Sequence, residues 1–185
     1  MDLDKALDKL KVNNLKPKSL VLDGEIQIRG AVEEKFVNGR SITTAVYIIC
    51  LQADLWTAAI PVAHPFPIIA RSNNLDAVVD AVCSFYKLRE TTAPDNMGIE
   101  EASILLGEAG LILTGLHEDE IRGFKPIASE TLENDRSESF GILRHAGAWM
   151  AIRSSPDNSK YVLKYSKALS DVTRAVIDYF STASA

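Results

Sequence analysis

Two cysteines and three histidines in 185 residues are too few and too scattered to suggest a disulfide framework, a zinc site or a catalytic triad. A chain of this length can bury roughly 70% of the surface its unfolded form exposes, so its core needs no such staple. Also missing are G-x-G-x-x-G, the P-loop, G-x-S-x-G, H-E-x-x-H and C-x-x-C. These absences argue against the recognisable nucleotide-binding, hydrolase and zinc families. There is no excess of positive charge: 20 Lys+Arg stand against 25 Asp+Glu, for a net charge of -5, and nucleic acid is not expected as a partner. The longest apolar stretch, Thr57 to Ala70, holds His64 and three prolines and is shorter than the ~20 residues a spanning helix needs. No membrane partner is expected.

The N-terminus, MDLDKALDKLK, alternates charges where a secretory signal places a basic start and an apolar block, and no Asn-x-Ser/Thr acceptor occurs. Cys50 and Cys83 sit among apolar neighbours, which suits buried reduced thiols. Together these lead to an expected cytoplasmic setting. With 46% apolar and 24% charged residues and a mean hydropathy of +0.01, the composition is that of an ordinary globular chain.

The apolar spacing predicts helices over residues 2–12, over 75–89 with Asn74 as cap, over 99–109 with Asp95 as cap and Gly110 as stop, and over 167–180 with Ser166 as cap. Between Leu20 and Leu51 two strand-like runs flank Asn38-Gly39, a pair suited to a type I′ hairpin turn. A turn there pairs Ile28 with Ile49 and Val32 with Ala45, with Gly30 marking a bulge. The charged first run, with Glu25, Arg29 and Lys35, belongs nearer a sheet edge, and the second run, apolar on both faces, nearer its centre. Leu55 to Val62 reads as a third strand, Leu111 to Leu116 as a short buried one, and residues 140–144, 149–153 and 161–165 as three more. His117 to Ser139, with its HEDE and ETLENDRSES runs, reads as an exposed acidic loop.

Leu75, Val78, Val82 and Tyr86 recur 94 residues later as Leu169, Val172, Val176 and Phe180, and Trp56 recurs as Trp149 at a spacing of 93. Amphipathic helices of any origin align in this way, so the echo leaves both a duplication and a coincidence open. The expected fold is α+β: a mainly antiparallel sheet with amphipathic helices packed on it, in a single domain over 1–185. It is open to division into two β-β-β-α halves, 1–90 and 95–185, with the loop at 117–139.

The HEDE cluster, His117 to Glu120, is the best metal candidate, but adjacent residues rarely converge on one ion and no metal or cofactor is expected. Without a catalytic constellation, the apolar strands and amphipathic helices point to a non-catalytic protein-binding or assembly protein. It would act through a sheet face, a sheet edge or a helix, with a protein partner or a second copy of itself as a dimer. Trp56, Trp149, Arg29 and Lys35 are the candidate partner-binding residues. The order of elements, the acidic pI of about 5.2 and the small size resemble the type III secretion chaperone-like architecture, which implies a dimer holding an unfolded segment. An immunity-type protein blocking one specific partner would share these features. A competing enzyme reading sets a pocket between the halves with His64, His117 or His145 as acid or base.

Overall fold

The structure is a computed structural model that describes residues 2–22, 25–37, 40–62, 65–91, 94–126, 138–145 and 147–182, with the side chains of 31–46 and 88–91 outside the description. The chain divides into two compact units, Met1–Glu90 and Thr91–Ala185. Its class is α+β, and each unit has the same order of elements: a helix, five antiparallel strands in sequence order, and a second helix. The expected three strands per half are thus five, and a helix opens each half as well as closing it.

The first unit begins with α1 (Leu3–Val12), which buries Ala6 and Leu10. Strands β1 (Pro17–Leu22), β2 (Glu25–Val37), β3 (Arg40–Gln52), β4 (Leu55–Ala59) and β5 (Ile68–Ser72) follow, then α2 (Leu75–Thr91). Asn74 caps α2 by accepting the Asp76 backbone N–H at 2.9 Å. A Lys9–Asp80 ion pair ties α1 to α2.

The β2–β3 register pairs Ile28 with Ile49, as the Asn-Gly turn requires, although residues 38 and 39 themselves lie outside the described residues. It slips after Gly30, so Ala45 faces Ala31 and not Val32, and the bulge is where the glycine suggested it. Two corrections concern the edge. The first strand-like run is not a single strand; residues 17–22 form a separate strand, β1, which Pro17 starts where its missing N–H costs least. The charged strand β2 therefore has a neighbour on each side, and the outer strand is β1.

The second unit contains α3 (Ile99–Glu108), β6 (Ile112–His117), β7 (Glu120–Phe124), β8 (Ser139–His145), β9 (Ala148–Ser154), β10 (Lys160–Ser166) and α4 (Leu169–Thr182). The segment expected as one long loop contains β7, which pairs with β6 and β8. Residues 127–137 lie outside the described residues. β6 is not buried as expected, since Ile112 and Leu116 are exposed. Asp95 does not cap α3, whose cap position is Gly98 without a side-chain bond. Its carboxylate instead accepts the backbone N–H groups of Leu169 and Ser170 at 3.0 and 2.8 Å, capping α4. Ser166 shares that end of α4, accepting from Ala168 N–H and donating to Asp171.

The cores of the two units match rung for rung. In the first, Ile28, Ile49 and Ala58 are paired neighbours on β2, β3 and β4; in the second, Ile121, Ile142 and Ala151 occupy the same places on β7, β8 and β9. All six are fully buried, and each lies 93 residues from its counterpart. The opening helices match as well, Ala6 and Leu10 corresponding to Ala102 and Leu106. Repetition therefore extends through the strands, beyond what two amphipathic helices share by chance.

Candidate functional site

The least covered apolar feature is β1. Leu20, Val21 and Leu22 follow one another on a strand that, among the described residues, pairs only with β2, and Val21 is 72% exposed. Valine and leucine suit an extended chain, but an outer strand with apolar side chains on both faces invites a further strand. Lys18, Leu20 and Leu22 share one face with their partners Arg29, Gln27 and Glu25; Ser19 and Val21 share the other with Ile28 and Ile26. Cations Lys16 and Lys18 stand exposed at the start of the strand, and Glu25 stands exposed on β2, across from Leu22 at its end. Pro17 and the lysines guard the first half of the edge only.

The outer strand of the second unit, β6, exposes Ile112 and Leu116 and ends in the His117-to-Glu120 hairpin. Two of the three acids there are engaged by arginines. Asp119 lies 3.7 Å from Arg144, and Glu120 accepts from Arg122 at 2.7 Å. Among the described residues no three His, Cys, Asp or Glu side chains gather where they could hold a metal ion.

The sequence-predicted residues do not form one cluster. Arg29 is exposed on β2 and donates to Gln27 at 3.2 Å. Lys35 faces Ile42 across β2 and β3, and its side chain is outside the description. Trp56 is half-buried on β4 opposite Leu51 and Ser72. Trp149, 7% exposed, belongs to the core of the second unit, with the Arg144 guanidinium 5.1 Å above its ring. His117 is exposed at the end of β6, His145 is buried at the end of β8, and His64 lies outside the described residues. Cys50 and Cys83 are free thiols whose pKa values burial pushes upward, so they resist ionisation and are poor nucleophiles.

One cluster escaped the sequence. The Arg153 guanidinium lies 4.6 Å from the Tyr161 ring and 5.1 Å from the Tyr179 ring, and 3.7 Å from Glu138. The Tyr179 hydroxyl donates to the same carboxylate at 3.2 Å. Burial and the Glu138 charge push that hydroxyl's pKa up, against the pull of Arg153. Its members come from the residue just ahead of β8 and from β9, β10 and α4, and no local spacing links them. At the matching spacings the first unit has Ile60 and Phe85, both buried, so the fold itself does not require the polar group.

Compared with family models, curated proteins and solved structures, the chain matches none. No helix among the described residues is long and apolar enough to cross a membrane.

Proposed function

We propose that the protein is a non-catalytic binding or assembly protein whose working surface is the outer edge of β1, which takes up an extended protein segment as an added strand. The observation that carries this reading is the run of exposed Leu20, Val21 and Leu22 on a strand with a single described neighbour. Main-chain groups on that edge bind a strand of any sequence, and the apolar side chains select among sequences. Burying what remains exposed of these three side chains contributes about 3 kcal/mol. Association entropy of at least comparable size opposes it, so the edge by itself gives modest affinity. A reducing, cytoplasmic setting suits this role because Cys50 and Cys83 are both free thiols.

The test is selection of strand-forming peptides from a displayed library on the full chain, followed by competition with the Val21→Lys variant. We expect the selected peptides to bind that variant at least tenfold more weakly, because a lysine at the centre of the edge opposes an added strand. Peptides that bind wild type and variant equally would refute the reading.

A further inference from the structure

We infer that the strand added at β1 is β1 of a second copy of this chain, giving a two-fold dimer whose sheet runs through both edges. The inference rests on the edge-binding reading above and names its occupant. The edge is self-complementary: cations at one end, Lys16 and Lys18; apolar side chains in the middle, Leu20 to Leu22; and at the other end Glu25, one strand in on β2, across from Leu22 and on the same face. Two antiparallel copies lay the start of one strand beside the end of the other. A pairing centred on Leu20 sets Lys18 of each copy across from its partner's Leu22, within a lysine's reach of Glu25 one strand further in on the same face, and packs the apolar centres together.

A parallel pairing would set lysines against lysines and waste the complementarity. Side-chain parity is also kept. In an antiparallel pair related by a two-fold axis perpendicular to the sheet, opposite residues lie on the same face, so Lys18, Leu20 and Leu22 of both copies share one face and Ser19 and Val21 share the other. Such a contact is isologous and closes after two copies, whereas an edge that met a different surface would build a ring or an open filament. Within one chain Lys18 is paired with Arg29 and Glu25 with Leu22, at opposite ends of the β1–β2 ladder. The Lys18–Glu25 complementarity therefore operates only between copies.

The deciding experiment is mass measurement by light scattering and by sedimentation equilibrium on the full chain over about 1 to 100 µM, the range in which modest edge affinities register. Wild type should shift from one-chain to two-chain mass with rising concentration. Lys18→Glu and Glu25→Lys should each raise the dimer Kd about tenfold, because by symmetry every charge change counts twice. The double variant Lys18→Glu/Glu25→Lys should return to within about threefold of wild type, since it exchanges the charges and keeps their complementarity. Circular dichroism confirms that each variant is folded, which these exposed positions permit. A monomer at all concentrations overturns the dimer; if Val21→Lys still abolishes capture of selected peptides, the edge-binding reading survives it, and if no such peptides exist, both fall. A dimer that Val21→Lys leaves intact, or whose Kd the single charge changes do not move, also overturns the proposal.

Discussion

The Tyr47 ring lies against Gly30, its cross-strand partner, so closely that a Cβ at Gly30 would stand 2.0 Å from ring carbons. The bare backbone makes room for the ring, which then reaches Tyr86 of α2 at 5.9 Å. The same device recurs in the second unit, where Gly123 faces Phe140 and Phe140 meets Phe180 at 5.8 Å. Gly30→Ala should therefore destabilise the fold by about 1–3 kcal/mol, the usual cost of overpacking. Chemical denaturation through the cycle of Gly30→Ala, Tyr47→Leu and the two combined checks it: with Leu already at 47 the Gly30→Ala step should cost less than it does with Tyr, and an equal cost would mean the strain lies elsewhere.

Tyr47 also donates its hydroxyl to the Leu15 backbone carbonyl at 3.1 Å in a buried setting. Tyr47→Phe strands that carbonyl and should cost about 1–3 kcal/mol. Burial, with a smaller contribution from Cys83, raises the hydroxyl's folded pKa well above its unfolded value. A raised pKa means the stabilisation is complete below the unfolded value of about 10 and is lost as pH climbs above it. Between pH 7 and 11 the wild type should thus lose more thermal stability than Tyr47→Phe, and parallel Tm curves would refute the assignment.

Asp95 joins the segment ahead of α3 to the start of α4. Desolvation works to raise its pKa, but the Ser170 side chain and the backbone N–H groups of Ser170 and Leu169 outweigh it and hold the carboxyl below its ordinary range. A depressed pKa places the stabilisation above the unfolded value of about 3.9 and removes it as the pH falls below that value. Asp95→Ala should cost about 1 kcal/mol at neutral pH, the usual worth of such a cap. The difference from wild type should shrink as denaturation curves are taken from pH 5 down to pH 2.

Much of this fold is legible in local sequence because local chemistry decides it. The Asn38-Gly39 pair and the alternation around it predict the Ile28–Ile49 rung, and Gly30 predicts the slip beyond it. Helix limits follow from Asn74 and from Gly110, which takes the positive φ of +78°. What escaped depends on distant partners. β7 carries Glu, Arg and Gly at three of its five positions, and it reads as a strand only once Phe140 fills the space over Gly123. Asp95 caps a helix 74 residues away, and no local pattern distinguishes that from a cap on the helix just ahead. The exposure of Leu20 to Leu22 was hidden for a similar reason: the residues look like half of a two-faced strand until β1 is seen to stand outside β2. Arg153 looks like one more solvated cation until Tyr161, Tyr179 and Glu138 are brought around it.

The correspondence between units gives a last prediction. Thr173 on α4 is 1% exposed, and its hydroxyl has no hydrogen-bond partner among the described residues. At the matching place on α2, 94 residues earlier, stands Val79, fully buried. Valine has nearly the shape of threonine without the hydroxyl, so the first unit already shows an apolar solution to this position. Thr173→Val should stabilise the protein by about 1 kcal/mol by removing an unsatisfied buried hydroxyl. The reverse exchange, Val79→Thr, should destabilise it by a similar or larger amount. Denaturant midpoints of the two variants, taken with unchanged slopes, test the pair. If Thr173→Val lowers the midpoint, the hydroxyl has a partner in solution and the two positions are not equivalent.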